Sequence, residues 1–585
     1  MVPDSSSSRV EALNAFGISN ASVVAEMESS LGFQLTLDSE AIAARAVEMS
    51  RLFYPAHIPI PDAYYELSPQ HQEALKLVGR AAQLLEVPFR LQSNAFGDVF
   101  EQLIMETPAY APLRSFYQRF GGPYDFLRSD EQKRNHGFLP GMEETTRPSG
   151  GGMYPVSFKS LADFRRFVPE GSELDKEMRV VFRLEGDQLV ATPYSQAFSR
   201  WLEPAAALLE GAAALFDVDR PAMAEGLRKT AQSFRTNDYY DRDTHWAGQN
   251  DPQIDLNIGA VEQYLDKLRG RMAQFMGYIQ IKNPKQEMEL APLRDAFPIL
   301  EEKLPVPEDY KKPLDQRIPR PVSVVDTLLA TADANGGDGV AVAHNQPNDE
   351  MVRKKTGYRI VIMDNRMNAR NIIPPAQRRV TERLIHPSQR HLVTARGLKL
   401  FVFFHEEAHG NGIEFVRDKP DLKAIQALED IGKTFEELRA DINGLYNTKT
   451  ALNLGLISTL DFHEIYVSFI HRCLGLLRKG TSEAHARGAL VALNYFTEIG
   501  AITTHPETGE TEVHIDKMYE ASADFTRELM IIKGDGNRKE ADRLFEQYGT
   551  LIPTVLTSVY EEMSDLPLDI IITYEFAKMI SGPSS

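Results

Sequence analysis

The sequence is poor in the residues that mark several classes of protein. It contains one cysteine, Cys473, among 585 residues, so no disulfide within the chain is possible and no oxidising compartment is required. Lysine and arginine total 64 against 83 aspartate and glutamate residues, and this net charge of −19 argues against nucleic-acid binding. No apolar run reaches membrane-spanning length, and the first residues lack the basic and apolar parts of a signal peptide. These absences predict a cytoplasmic protein that binds neither nucleic acid nor membrane.

The composition that remains is ordinary for a globular protein, with 43% hydrophobic and 25% charged residues. A chain of 585 residues is too long for one core, so we expect two lobes that interleave in the sequence. Prolines concentrated between Phe297 and Arg320 predict a passage between the lobes. The predicted organisation is a lower lobe over residues 1–300, an inter-lobe segment over 301–335, the remaining β core of the lower lobe over 336–385, and a helical lobe over 386–585.

Local patterns predict an α+β fold that is mainly helical. Apolar residues recur at helical spacing from Pro69 to Val87. The segment Val180 to Thr192 alternates apolar and polar residues around a Glu-Gly-Asp turn, which predicts a β-hairpin. Between Gly121 and Pro155 the periodicity is lost in a connection rich in glycine and proline, which indicates a binding loop or a surface excursion.

The stretch LKLFVFFHEEAHGNG, residues 398–412, carries the strongest functional signal. An apolar run without a helix breaker leads into His405 and His409, which share one face of a helix because they are four positions apart. Two imidazoles one turn apart can bind a divalent ion together, and Glu406 beside them can take a proton from water. The sequence therefore predicts a zinc site.

A catalytic zinc site takes three protein ligands and keeps one position open. The downstream pattern TFEELRAD, residues 434–441, places several carboxylates on a helix, and spacing alone leaves Glu436 and Glu437 as equal candidates for the third ligand. Glu414 and Glu429 are weaker candidates. Asp441, one turn after Glu437, can accept the free ring N–H of a ligand histidine.

This donor set predicts hydrolysis of an amide. Zinc lowers the pKa of its bound water, Glu406 takes the proton as the water attacks a carbonyl, and a further donor must stabilise the oxyanion. His485 and Tyr264 are candidates for that donor.

HEEAHG and FEELRAD together resemble the motifs of the dipeptidyl peptidase III family of zinc exopeptidases. The resemblance extends in order over most of the chain. Further matches are IGAVEQY (258–264), Asn-Gln-Pro-Asn (345–348), the helix from Ala484 to Gly500, and the helical pair LMIIKGDGNRKEADRLFEQYG (529–549).

This resemblance implies a role for each matched residue. It implies one zinc ion per chain on His405, His409 and Glu437, with Glu406 as base, Glu436 and Asp441 supporting the ligands, His485 as transition-state histidine, Tyr264 lining the cleft, and Glu262, Asn345 and Asn348 holding the amino end of a peptide. The implied fold has two lobes around a wide cleft. One lobe carries the zinc and is mostly helical, and the other is built on a small β-barrel with helices.

The chain departs from the family pattern at two informative positions. The best-known members have an extra residue between the two histidines, whereas the spacing here resembles a divergent branch of bacterial proteins and of plant proteins fused to a Nudix domain. The family often has arginine four positions after the histidine matched by His485, and this chain has Ala489 there. Arg487 is the nearest candidate to replace that arginine in substrate binding.

The leading hypothesis is a zinc peptidase that removes dipeptides from short peptides with a free N-terminus. One carboxylate, Glu262, and the amide oxygens of Asn345 and Asn348 can satisfy an ammonium group, and a fixed distance to the metal would select the bond that is cut. A second hypothesis is a zinc hydrolase of a non-peptide amide or ester on the same scaffold. A third is a peptide-binding protein without catalysis. The sequence makes no prediction of the oligomeric state.

Overall fold

Helices dominate the fold of this protein, for which we analysed a computed structural model. The structure describes residues 5–128, 135–249, 251, 253–317, 321–337, 339–371 and 374–581. Within these ranges there are 28 α-helices and 13 β-strands.

The helices before the sheet and beside it cover the first two thirds of the chain. They are α1 (Ser5–Ala15), α2 (Ala21–Leu31), α3 (Ser39–Ser50), α4 (Asp62–Tyr65), α5 (Pro69–Gln83), α6 (Glu86–Ser93), α7 (Gly97–Glu106), α8 (Arg114–Phe120), α9 (Leu161–Arg165), α10 (Glu173–Lys176), α11 (Tyr194–Ala197), α12 (Ser199–Phe216), α13 (Pro221–Thr236), α14 (Tyr240–Gly248), α15 (Pro284–Asp295), α16 (Phe297–Glu302), α17 (Glu350–Thr356), α18 (Asp364–Asn371) and α19 (Pro375–Leu384).

The remaining helices carry the candidate site and its support. They are α20 (Ala395–Ala408), α21 (Ala424–Ala427), α22 (Gly432–Asn453), α23 (Thr459–Leu476), α24 (Ala484–Glu498), α25 (Ile515–Asp535), α26 (Arg538–Tyr548), α27 (Thr554–Glu562) and α28 (Glu575–Ser581). The strands are β1 (Phe53–Ile58), β2 (Val180–Glu185), β3 (Gln188–Pro193), β4 (Ile254–Glu262), β5 (Gln274–Lys282), β6 (Val322–Ala332), β7 (Ala343–Gln346), β8 (Arg359–Met363), β9 (Phe415–Val416), β10 (Lys419–Lys423), β11 (Ile502–Thr504), β12 (Thr511–Val513) and β13 (Asp569–Tyr574).

Five strands form the main sheet, in the order β4-β5-β6-β8-β7. Every pair is antiparallel except β6 with β8. The sheet curls until its two edges meet through side chains, since Asn257 on β4 donates to Gln346 on β7 at 2.6 Å. The Val261 carbonyl on β4 likewise accepts from the side chain of Asn348 at 3.1 Å.

The β-barrel implied by the family resemblance is therefore not closed. Within the described ranges no backbone ladder joins β4 to β7. Side-chain amides occupy the places where backbone groups of a neighbouring strand would bond, and β7 has only four residues with which to form a ladder. The barrel prediction is corrected to a curled sheet, and the mainly helical α+β fold is confirmed.

The sheet lies between two hydrophobic cores. Val325 on β6 and Val361 on β8 pack in the first core, while their neighbours Val324 and Ile362 pack in the second, because successive residues of a strand point to opposite faces. The first core includes the helices before β4. Strand β13 also packs there, paired in parallel with β1. The second core is formed mainly by helices after Val380. The lobe boundaries given above remain a prediction.

Two local predictions have clear outcomes. The hairpin is confirmed, as β2 and β3 pair antiparallel from Val180–Pro193 to Glu185–Gln188. The connection from Gly121 to Pro155 is not a surface excursion in its described parts, because Tyr124, Phe138 and Met153 are buried in the first core. None of the described helices combines the length and the apolar character needed to cross a membrane.

Candidate metal centre

Helix α20 positions the two histidines because it is buried on almost every side. Thr394 caps its start, accepting from the backbone N–H of Gly397 at 2.9 Å. Phe401, Phe403 and Phe404 are all buried, as expected for a helix that is apolar all round. His405 stands in the last turn, and His409 follows the helix end in a helical conformation. The rings of the two histidines lie 4.7 Å apart, centre to centre.

Helix α22 brings the acidic ligand to the histidines through a close backbone approach. Gly444 faces α20 so closely that a Cβ atom at this position would lie 3.0 Å from the backbone nitrogen of His405. A glycine is therefore required for the two helices to pack at this separation. Asp441 and Glu437 lie about one and two turns before Gly444, on the side of α22 that faces the histidines.

Three donors converge at this contact. The Nε2 atoms of His405 and His409 are 3.1 Å apart, and Glu437 Oε2 lies 3.4 Å and 3.6 Å from them. Among the described residues, these three form the one group of His, Cys, Asp or Glu side chains that could hold a metal ion, with all donor atoms within 4.8 Å of one another.

This donor set fits a divalent metal ion. Glu437 Oε2 is buried and makes no hydrogen bond with described residues, although it lies between two imidazoles. A buried carboxylate oxygen without a partner is costly unless a cation neutralises it. Two imidazole nitrogens and one carboxylate oxygen are the ligands of a catalytic zinc site with an open position.

Asp441 and Arg472 hold the ring of His405. Asp441 Oδ1 is 2.7 Å from His405 Nδ1, and Arg472 Nη1 is 3.2 Å from Asp441 Oδ2. Burial would lower the pKa of His405, but the charge and the hydrogen bond of Asp441, together with the nearby carboxylate of Glu437, outweigh burial and raise this pKa to about 10. Nδ1 is thereby engaged, and Nε2 is directed at the candidate metal position.

Glu436 supports the second histidine in the same way. Glu436 Oε1 is 3.2 Å from His409 Nδ1, and its carboxylate is ion-paired with Arg439 and, at 3.2 Å, with Lys533. Burial would raise the pKa of Glu436, but the positive charges of Arg439 and Lys533 hold it well below its usual range. Glu436 therefore remains an anion that accepts from His409.

The structure separates the carboxylates that spacing alone left open. Glu437 faces both Nε2 atoms, whereas Glu436 faces only Nδ1 of His409. The weaker candidates lie elsewhere: Glu414 is 3.6 Å from Lys423, and the exposed Glu429 is 3.1 Å from Arg538.

The two adjacent acids of the HEEAH motif point in different directions. Glu407 is buried and accepts from Asn447 at 2.9 Å. Glu406 is half-buried, and its carboxylate makes no hydrogen bond or ion pair with described residues. Glu406 is thus the acid whose proton-accepting oxygens remain available.

His485 lies at the site, whereas Arg487 does not contact it. His485 Nδ1 is 3.4 Å from Glu437 Oε2 and 3.4 Å from Arg472 Nη2. Arg487 is two positions further along α24 and packs over the ring of Phe545 at 5.1 Å. The guanidinium nearest to His485 is therefore that of Arg472, which sequence reasoning missed because it comes from α23.

Tyr264 lies on the exposed side of the site, beyond the end of β4. Its side chain is 56% exposed, and the Nζ atom of Lys433 on α22 lies 5.5 Å from its ring centre. Removal of the hydroxyl from bulk water, and then the charges of Glu262, Glu437 and Glu406, raise the pKa of Tyr264 well above its usual value. The hydroxyl remains protonated and can donate.

Glu262, at the end of β4, accepts from two side-chain amides. Asn348 Nδ2 is 3.3 Å from Glu262 Oε2, and Gln346 Nε2 donates to Oε1. Burial raises the pKa of Glu262, while these two hydrogen bonds and Lys433 oppose the shift. The Oδ1 atom of Asn345 is buried without a hydrogen-bond partner. Sequence reasoning missed Gln346, because no local pattern indicates that it contacts Glu262.

Comparison with known proteins agrees with a metallopeptidase fold. The sequence pattern of Peptidase family M49 matches residues 188–427. A structure of DPP III from Caldithrix abyssi superposes with a TM-score of 0.81 at 25% identity, over 92% of this chain and 100% of that chain. The dipeptidyl-peptidase III of Corallococcus sp. strain EGB gives the same TM-score and identity over 94% and 99%.

Curated relatives match over shorter parts. Nudix hydrolase 3 of Arabidopsis thaliana is 30% identical over 397 residues, which is 67% of this chain and 50% of that protein. Dipeptidyl peptidase 3 of Dictyostelium discoideum is 22% identical over 380 residues, 55% and 53% of the two chains. The chain thus spans about half the length of these curated relatives.

The fold and the His-His-Glu group define the class as that of the M49 peptidases. Within this class the chain is similar to the dipeptidyl peptidase III proteins, and its similarity to a Nudix-named plant protein agrees with the divergent branch expected from the sequence.

Proposed function

We propose that this protein is a zinc-dependent metallopeptidase that hydrolyses peptide bonds near the free N-terminus of short peptides. The observation that carries the proposal is the buried Glu437 Oε2, which has no hydrogen-bond partner and lies within 3.6 Å of two imidazole Nε2 atoms. Zinc held by His405, His409 and Glu437 would supply Lewis acidity for the carbonyl and for the attacking water.

The surrounding residues supply proton transfer and charge stabilisation. Glu406 has carboxylate oxygens without partners among the described residues and accepts the proton of the attacking water. His485, 3.4 Å from Glu437, and the protonated Tyr264 are the donors that would stabilise the negative charge developing on the carbonyl oxygen. Glu407 takes no part, because its carboxylate is engaged inside the second core.

Glu262 supports recognition of a free amino end. Gln346 and Asn348 orient its carboxylate. Asn345, whose Oδ1 is buried without a hydrogen-bond partner, is the further residue expected to hold the amine. A carboxylate with nearby amide oxygens matches the three N–H donors of an ammonium group. The distance from this group to the metal would then select the bond that is cut.

The test is mass spectrometry of products from the zinc-loaded protein with short peptides and with their N-acetylated forms. Release of dipeptides from free peptides alone is expected, and Glu262→Ala should raise KM for the free peptides. Equal cleavage of acetylated peptides contradicts the amine role. Cleavage only of non-peptide amides or esters would instead support the alternative hydrolase.

A further inference from the structure

Lys433 stands in an unfavourable position for a structural lysine. It is the second residue of α22, and a positive charge in the first turn of a helix is opposed by the helix dipole. The first turn of α22 contains no acidic residue that would offset this cost. The side chain of Lys433 is exposed, and it leans from α22 towards the segment that follows β4.

Lys433 forms no ion pair with the described residues, although the charges of Asp266, Glu262 and Glu437 act on it. Within the described part of the chain its ammonium makes no hydrogen bond either, and it lies beside Gly270 and 5.5 Å from the ring centre of Tyr264. A lysine over an exposed ring is held weakly. Partial desolvation and the charge of Lys267 lower the pKa of Lys433, so its ammonium gains from a nearby anion.

Three other cations near the metal ligands are paired among the described residues. Arg439 and Lys533 pair with Glu436, and Arg472 pairs with Asp441. Lys433 differs from these three. It precedes Glu437 by one helical turn, and the charges of both Glu262 and Glu437 act on it. Because its Nζ faces the ring of Tyr264, two residues after Glu262, its ammonium lies near both the proposed amine-binding carboxylate and the proposed metal ligand.

We propose that Lys433 binds a carboxylate side chain on one of the first two residues of the peptide, so that the enzyme favours substrates with an acidic residue at one of these positions. This inference rests on the proposed function, because Glu262 and the metal define the part of the substrate that passes Lys433. A lysine ammonium and a carboxylate form a charge-assisted hydrogen bond. In a protein with a net charge of −19, an unpaired lysine at this place offsets the general repulsion of acidic peptides.

The test compares kcat/KM for five dipeptidyl β-naphthylamides: Glu-Ala, Ala-Glu, Ala-Ala, Lys-Ala and Ala-Lys. These substrates lack a terminal carboxylate, so any effect of negative charge comes from a side chain. The variants are Lys433→Met and Lys433→Glu. Lys539→Met is the control, because Lys539 is exposed on α26 and its substitution removes the same charge.

The zinc-loaded wild type should cleave one of the Glu substrates faster than its Lys counterpart by about tenfold, which corresponds to one charge-assisted contact. Lys433→Met should lose activity on that Glu substrate at least about fivefold more than on Ala-Ala. Lys433→Glu should reverse the preference, and Lys539→Met should keep it. The wild-type preference should also shrink as salt is raised, because Lys433 is exposed.

An equal loss on all five substrates would show that Lys433 only supports the structure, and an unchanged preference in Lys433→Met would show that it binds no side chain. Either result overturns the inference while the peptidase proposal stands. If the wild type cleaves none of the substrates, the proposed function fails. Peptide binding measured by calorimetry then tests the role of Lys433. Tighter binding of Glu-Ala-Ala than of Lys-Ala-Ala, or of Ala-Glu-Ala than of Ala-Lys-Ala, lost in Lys433→Met, supports the inference, and no difference in either pair or no binding overturns it.

Discussion

The Nδ1 atom of His405 lies 2.7 Å from Oδ1 of Asp441, which is about one turn of α22 before Gly444, where α20 and α22 meet. This contact fixes the ring of His405 so that Nε2 faces Nε2 of His409 and Oε2 of Glu437. Asp441 thus connects helix packing to the geometry of the proposed metal ligands.

Replacing Asp441 with asparagine should weaken metal binding without removing a proposed ligand. Asp441→Asn keeps the size of the side chain but removes the charge that orients His405, so zinc affinity should fall about 10- to 100-fold. Competition with a chelator measures the affinity. Asp524→Asn, which removes an exposed carboxylate from α25, is the control and should bind zinc as the wild type does. Wild-type affinity in Asp441→Asn would contradict the orienting role.

The raised pKa of His405 predicts opposite pH trends for the metal-free and zinc-loaded proteins. In the metal-free protein, this group stabilises the fold fully below its ordinary pKa of 6.5, and that stabilisation is lost as pH rises towards about 10. Zinc must displace the same proton, so the stabilisation given by zinc should grow over the same window. Melting temperatures with zinc and with chelator, measured from pH 6 to 9.5, report the difference. A zinc effect that shrinks as pH rises would contradict this assignment.

Adjacent glutamates should separate catalysis from stability. Glu406→Gln removes the proposed base and should lower kcat about 100- to 10,000-fold while zinc remains bound. Glu407→Gln is the matched control. It weakens the buried contact with Asn447, so it should lower the melting temperature with only a small change in kcat at saturating zinc. Metal content, melting temperature and kcat are measured on both. A Glu406→Gln enzyme with wild-type kcat would exclude this residue as the base.

Sequence reasoning identified residues that are close in sequence better than partners from distant elements. His405 with His409, and Glu437 with Asp441, are each one helical turn apart, so periodicity alone predicts a shared face. Gln346, Arg472 and Lys533 come from β7, α23 and α25, and nothing in their local patterns indicates that they meet Glu262, Asp441 and Glu436.

The fold shows the same limit. Helical spacing and the turn at 185–187 predict local elements, and β2 and β3 follow that prediction. The connection from Gly121 to Pro155 has no periodicity, so its sequence gives no sign that Tyr124 and Phe138 pack in the first core. The pairing of β1 with β13 joins strands separated by more than 500 residues, which no local pattern can predict.

The close approach at Gly444 predicts that a single methyl group disturbs the site. In Gly444→Ala the new Cβ would lie 3.0 Å from backbone atoms of Phe404 and His405, so α20 and α22 must move apart. We expect a loss of about 1–3 kcal/mol in unfolding free energy and weaker zinc binding. Gly211→Ala on α12 is the control, because its Cβ would meet only Leu77 Cδ1 at 3.6 Å, and it should be neutral or stabilising. Unchanged stability and zinc affinity in Gly444→Ala would contradict the tight packing.

Arg487 lies nearer to His485 along the chain, whereas Arg472 lies nearer to it in the fold. Arg487 packs on Phe545, whereas Arg472 contacts both Asp441 and His485. Arg472→Ala should therefore lower kcat about 10- to 100-fold with a smaller change in KM, and Arg472→Lys should recover part of the loss. Arg487→Ala should lower the melting temperature through lost packing while kcat/KM stays within about twofold. Steady-state kinetics and melting curves on the three zinc-saturated variants measure kcat, KM and the melting temperature. A larger loss of kcat in Arg487→Ala than in Arg472→Ala would assign the role to Arg487 instead.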